Sequence, residues 1–135
     1  MPGAQRAGRG SAPDSPGRRR YRLAREQRLL NAAQFGLVFR HRCQSRDGGF
    51  AVYGRRNGLD LARLGLAVSR RVSRSAVVRN RIKRQIREAF RHEAPGLAGL
   101  DVVVVAHTAA AGMTNEELRA AIQRHWQRVT AKCRS

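Results

Sequence analysis

The run Asp101-Val102-Val103-Val104-Val105-Ala106 most constrains what this chain can fold into. Side chains on a strand alternate between its two faces, so an unbroken valine run is apolar on both. That pattern predicts a central, parallel strand. Upstream, Val78, Ile82, Ile86 and Ala89 fall within one arc at ~100° per residue and predict a helix over residues 75–92, with Ser75 as its cap. Pro95-Gly96 stops it. Downstream, Thr114-Asn115-Glu116-Glu117 reads as a capping box opening a last helix, whose Leu118, Ile122, Trp126 and Val129 make a core stripe. Near the start, Asn31 to Gln34 read as a cap and its partner, opening a short helix through Phe35, Val38 and Phe39. Asp47-Gly48-Gly49 is a turn, Phe50-Ala51-Val52-Tyr53 a strand, and Arg55-Arg56-Asn57-Gly58 a second turn. Leu64, Leu66 and Val68 then alternate with Gly65 and Ala67 as another strand. The order helix, strand, strand, helix, strand, helix implies a small α/β sandwich around a mixed sheet, with the 75–92 helix as crossover.

That helix carries an unusual charge pattern. Asn80, Lys83, Arg84, Arg87 and Arg91 lie away from the apolar stripe, and only Glu88 is acidic. A merely solvated helix face normally interleaves both signs. The like-charge pairs Arg79/Lys83, Lys83/Arg87 and Arg87/Arg91 each cost roughly 0.2–0.5 kcal/mol in an isolated helix, a cost offset if a polyanion covers them. The whole chain agrees: 28 Lys and Arg against 9 Asp and Glu give a net charge of +19, which suits a phosphate-backbone partner. All the cations except Lys83 and Lys132 are arginine, whose planar fork fits phosphate and stacks on bases.

The length, 135 residues, suits one domain with a modest core. Residues 1–21, built of Gly, Pro, Ser, Ala and Arg with no apolar period, read as a flexible basic tail; residues 22–133 read as a single domain. Cys43 and Cys133 form no CxxC pair and no framework, so two reduced thiols are expected. No apolar run approaches a membrane span or a signal peptide's core. A cytoplasmic protein is expected.

For catalysis the chain is poor. No two acidic residues read as a spaced pair; Glu116-Glu117 is explained by the helix dipole. His41, His92, His107 and His125 lack partners at metal-ligand spacing, so no metal site is expected. Ser69 and Ser73 have no Gly-x-Ser-x-Gly elbow, and there is no phosphate-binding loop. Gly96-Leu97-Ala98-Gly99 has the spacing of a KH loop without its context and reads as a plain turn. Phe35 and Phe39, an i, i+4 pair, and Tyr53 on a strand suit either core packing or base stacking. Trp126 shares the stripe of the last helix and reads as core.

The segment from Arg63 to Arg91 resembles the bacterial ribonuclease P protein subunit. Its Arg79-Asn80-Arg81-x-Lys83-Arg84-x-x-Arg87 stretch is similar to that family's identifying motif. Arg28-Leu29-Leu30, Gln34-Phe35, Val38-Phe39, the valine run and the Trp126 helix extend the resemblance over roughly residues 22–130. The resemblance implies an α-β-β-β-α-β-α two-layer sandwich, one strand more than the residues alone resolve. It also implies a left-handed βαβ crossover, against the general right-handed rule.

The resemblance further implies a non-catalytic subunit of a ribonucleoprotein that removes the 5′ leader of precursor transfer RNA, with Mg²⁺ held mainly by the catalytic RNA. The partners implied are that RNA and precursor transfer RNA, with no small-molecule substrate and no membrane. Arg79, Asn80, Arg81, Lys83, Arg84, Arg87 and Arg91, with Arg70 and Arg71, are then expected to contact RNA. Phe35, Phe39 and Tyr53 match a cleft for the single-stranded leader. Where many relatives carry Lys-Lys and Gly, this chain has Arg70-Arg71 and Ser73, which keeps the charge and loses the glycine. A ribosomal or other structural RNA-binding protein fits the charge equally. A DNA-binding protein fits less well, because strands rather than a second helix flank the basic helix.

Overall fold

In the computed structural model the described residues are 27–28, 32–40 and 43–134. The expected tail over 1–21, the start of the domain at residue 22 and the Asn31 cap lie outside them. The elements are α1 (Ala32–Phe39), β1 (Cys43–Arg46), β2 (Phe50–Arg56), β3 (Arg63–Ala67), α2 (Ala76–Glu93), β4 (Leu100–Ala106), a 3₁₀ turn (Thr108–Gly112) and α3 (Asn115–Arg134). The strands form one sheet in the order β1-β2-β4-β3. The valine strand β4 lies inside it, antiparallel to β2 and parallel to β3. The additional strand is β1, only four residues long and paired antiparallel with β2. Its Cys43-Gln44-Ser45-Arg46 sequence carries too little apolar period to be read in isolation.

The register sorts the sheet into two faces. Phe50, Val52, Leu64, Val102 and Val104 point to one side and are buried with Ile82, Ile86 and Phe90 of α2 and Leu118, Ile122, Trp126 and Val129 of α3. The predicted stripe of α2 holds: Ile82 and Ile86 are fully buried, Val78 and Ala89 pack at its margin, and Gln85 and Phe90 join it. On the opposite face α1 covers Val103 with Val38, flanked by Phe35, Tyr53 and Val105. The short helix thus closes only part of the second face.

The caps are those the sequence encodes. Ser75 Oγ accepts from Val78 N at 3.3 Å. Thr114 N donates to Glu117 Oε1 at 2.8 Å, and Glu117 N donates back to Thr114 Oγ1 at 3.1 Å, the reciprocal box that satisfies two free N–H groups. At the opposite end of the sheet, Asp101 is 1% exposed. It accepts from Arg63 Nε and Nη2, both at 2.7 Å, and from Asn57 Nδ2 at 2.9 Å. This bidentate pair fastens β3 and the β2–β3 loop to β4, and the loop turns at Gly58 with φ +71°.

The expectation of two reduced thiols is overturned. Cys43 on β1 and Cys133 in the last turn of α3 are paired as a disulfide, with Cα atoms 5.3 Å apart. Opposite Cys43 in the ladder is Gly54, where a Cβ would come within 2.5 Å of Val129 Cγ1. The missing side chain lets α3 approach the sheet edge and brings together two cysteines 90 residues apart.

Candidate nucleic-acid interface

The helix α2 divides its cations by position around the axis. Arg79 and Arg81 flank the apolar stripe, and both are used within the fold. Arg81 donates from Nη1 to Met113 O and Asn115 Oδ1, each at 3.0 Å, and from Nη2 to Ala111 O at 3.3 Å. It thereby ties α2 to the start of α3. Arg79 Nη1 donates to Ser73 O at 2.8 Å and braces the loop before the helix. Asn80, Lys83, Arg84, Arg87 and Arg91 form a second stripe opposite the core, with Asn80, Arg84 and Arg91 exposed. Arg91 Nη1 meets Glu88 Oε2 at 3.1 Å, a surface pair that contributes little to stability.

Arg87 occupies the least favourable place for a cation. Partial burial lowers its pKa, and the neighbouring charge of Arg28 lowers it further. Arg28 is set there by its bridge to Leu64 at the free edge of β3. Two guanidinium groups held near one another in this way repel.

The loop between β3 and α2 completes the basic surface. Arg70, Arg71, Arg74 and Arg79 line a wide hollow with Ser73 and Ala76. Buried Val72 anchors the loop, and two hydroxyls shape it: Ser69 Oγ accepts from Arg71 N at 3.3 Å, and Ser73 Oγ from Ser75 N at 3.1 Å. Ser73 thus supplies a side-chain turn where a glycine would supply backbone freedom.

The three aromatics converge on the face covered by α1. Phe35 and Phe39 have ring centroids 6.4 Å apart, and Phe39 meets Tyr53 edge-on at 5.0 Å. Phe35 rests on Gly65, where a Cβ would lie 2.7 Å from its Cζ. Core packing here falls to Val38 and Val103, both fully buried, while Phe39 is 44% exposed. Arg46 was not anticipated. Its Nη2 donates to the Tyr53 hydroxyl at 3.1 Å, and its guanidinium lies 5.9 Å from the Tyr53 ring centroid, adding a cation to the aromatic surface. The only signal for it was the weak alternation of β1.

One group has the residue types of a nucleophilic triad. Ser45 Oγ lies 2.7 Å from His125 Nδ1, and His125 Nε2 lies 2.9 Å from Asp47 Oδ2. A carboxylate only accepts, so Nε2 carries the proton and Nδ1 accepts from the Ser45 hydroxyl. His125 is 0% exposed and Ser45 4%, so no substrate reaches either. Asp47 also accepts from Gly49 N and Phe50 N, each at 2.9 Å. The group locks the β1–β2 turn to α3, a structural use of His125. Among the described residues no three His, Cys, Asp or Glu side chains gather as a metal site. No helix among them is long and apolar enough to cross a membrane.

The fold and this surface define a class: a small, strongly basic α+β protein with an arginine-rich crossover helix on one side of its sheet and a partly open aromatic face on the other. Comparison with known proteins narrows it. The family model described as Ribonuclease P matches residues 23–130. A ribonuclease P protein component from Methylococcus capsulatus is 42% identical over 113 residues, 84% of this chain and 88% of the relative. One from Chromobacterium violaceum is 44% identical, covering 85% and 94%. The solved RNase P protein of Staphylococcus aureus superposes with a TM-score of 0.69 at 30% identity, over 75% of this chain and 93% of that one. That of Thermotoga maritima gives 0.59 at 31%, over 72% and 96%. The chain belongs to the ribonuclease P protein family.

Proposed function

We infer that this chain is the protein subunit of ribonuclease P and works in transfer RNA processing as part of a ribonucleoprotein. The observation that carries the reading is the pairing of a cationic stripe on α2 with a partly open aromatic face on the other side of the sheet, in a chain of this family. The stripe of Lys83, Arg84, Arg87 and Arg91, with Asn80 and the Arg70-Arg71 loop, grips the phosphate backbone of the catalytic RNA. Phe39 and Tyr53, supported by Phe35 and Arg46, receive the single-stranded 5′ leader. Stacking on aromatic rings tolerates any base, as leaders of differing sequence require. Arg79 and Arg81 serve mainly to fix the helix that presents the stripe.

Hydrolysis of the phosphodiester is assigned to the RNA and its Mg²⁺ ions, with the protein supplying charge and substrate grip. The engagement of four acidic side chains within the fold supports this: Asp101 is held by Arg63, Asp47 by the turn and His125, Glu117 by its cap and Glu88 by Arg91. The test is precursor transfer RNA processing with purified protein, with reconstituted catalytic RNA, and with both. Leader removal is expected only where the catalytic RNA is present, and at lower Mg²⁺ when the protein is added. Robust cleavage by RNA-free protein overturns the assignment.

A further inference from the structure

A second cationic flank lies on α3, apart from the stripe of α2. After Glu117 the chain carries no further acidic residue, while Arg124, Arg128 and Lys132 recur at four-residue intervals. All three are exposed, and they climb one side of the helix in steps of about 6 Å. That side faces β1. Lys132 Nζ donates to Gln44 O, and Arg124 and Arg128 lie close enough to His125, the partner of Ser45, to depress its pKa. Arg119 and Gln123, by contrast, border Ala89 and His92 of α2. The pairs Arg124/Arg128 and Arg128/Lys132 repel along the helix. The helix dipole accounts for the cations of the last turn, Lys132 and Arg134, but its effect does not reach back to Arg124 and Arg128. Among the described residues no carboxylate pairs with either arginine. Asp47, which shares His125 with them, is committed to that ring and to the N–H groups of Gly49 and Phe50.

Among the described residues β1 ends the sheet, and it separates this flank from the aromatic face. Its side chains alternate: Cys43 and Ser45 turn to α3, while Arg46 turns to the other side and holds the Tyr53 hydroxyl. Positive charge therefore continues from the rings, across the strand, onto α3. A guard against edge pairing does not explain it, because a strand of four residues with Lys132 on Gln44 O is already blunted. Sequence-tolerant grip on single-stranded nucleic acid combines rings that stack bases with a basic track that follows the backbone. The aromatic face supplies the rings, and this flank supplies a track beside them. We propose that the leader, after the nucleotides nearest the cleavage site stack on Phe39 and Tyr53, crosses the β1 edge beside Arg46 and lays its more distant phosphates along Arg124, Arg128 and Lys132. The inference rests on the leader reading of the aromatic face and adds to it a dependence on leader length.

The experiment measures binding of reconstituted holoenzyme to mature transfer RNA and to precursors with leaders of about 4 and about 16 nucleotides, the range of common single-strand sites. The long leader is expected to bind roughly 3- to 30-fold tighter than the short one, as for two or three exposed ion pairs. Its log K should also fall more steeply with log salt, by up to ~0.7 per added phosphate contact. Arg124→Gln/Arg128→Gln is expected to bring the long-to-short ratio close to one, with the melting temperature held or raised as repulsion is relieved. Arg124→Lys/Arg128→Lys, which keeps the charge, is expected to restore most of the ratio. Equal binding of long and short leaders by the unaltered protein overturns the track. So does a folded glutamine variant that keeps the ratio, or one that loses affinity for both leaders alike, the mark of a general loss of charge. A short leader that binds no better than mature transfer RNA overturns the aromatic-face reading together with the track. A short-leader advantage that stands while the long leader adds nothing overturns the track alone.

Discussion

Replacing Phe39 with leucine separates leader binding from folding. The ring is 44% exposed and contacts Tyr53 edge-on at 5.0 Å, while the neighbouring Val38 and Val103 are sealed beneath α1. Leucine keeps most of the apolar volume, and swaps of that kind usually cost less than about 1.5 kcal/mol even in a core. At a half-exposed site the expected cost is smaller, under about 1 kcal/mol. A base stacked on an aromatic ring contributes ~1–3 kcal/mol. Losing it should reduce the preference of the holoenzyme for precursor over mature transfer RNA by roughly 5- to 150-fold, taking 1.4 kcal/mol per factor of ten. Mature transfer RNA carries no leader, so its affinity should hold. Val38→Ala gives the opposite profile: it opens a cavity under α1, lowers the melting temperature, and leaves the precursor-to-mature ratio near its original value. The assay measures the two dissociation constants in reconstituted holoenzyme beside the protein's melting curve. The reasoning is refuted if Phe39→Leu keeps the full precursor preference, or loses affinity for both ligands in step with its stability.

Further outcomes are expected. Arg87→Ala should weaken binding to the catalytic RNA and reduce the slope of log K against log salt by up to ~0.9, with melting temperature unchanged or raised because the Arg28 charge is relieved; Arg81→Ala should instead melt earlier by the equivalent of ~1–3 kcal/mol, through its bonds to Ala111, Met113 and Asn115. Asp101→Ala strands Arg63 and Asn57 and should cost ~3–5 kcal/mol in denaturant unfolding, as for other broken buried pairs; a loss below 1 kcal/mol contradicts the network. Stability should also fall on acidification. Burial depresses the His125 pKa against the pull of Asp47, with Arg128 and Arg124 depressing it further, so the unfolded chain binds a proton before the folded one and stability declines as pH drops below the ordinary imidazole range. Burial opposes ionisation of Asp47, but the Phe50 and Gly49 N–H groups and His125 outweigh it and lower its pKa. Its contribution is therefore full above the ordinary carboxylate range and is lost as pH falls through that range to the lowered folded pKa. His125→Gln should abolish the first of these two declines in urea unfolding measured across pH.

Much of the architecture is legible in the residue order because it is written in local periods. The valine strand, the Ile82–Ile86 stripe, the Ser75 cap and the Thr114–Glu117 box involve residues a few positions apart, and helix and strand geometry alone brings them together. The basic face of α2 follows in the same way, since the spacing that buries Ile82 and Ile86 turns Lys83, Arg84 and Arg87 outward. Tertiary structure decided what depends on contacts between distant residues. The Cys43–Cys133 pair and the Ser45–His125 bond span 90 and 80 positions, and no local pattern encodes either. The same holds for Arg81, which the motif groups with its neighbours but which packing turns onto Met113 and Asn115. Arg46 comes to lie beside Tyr53 only through the β1–β2 register. A residue's face is set by its own helix or strand, but its partner is set by where the other elements dock.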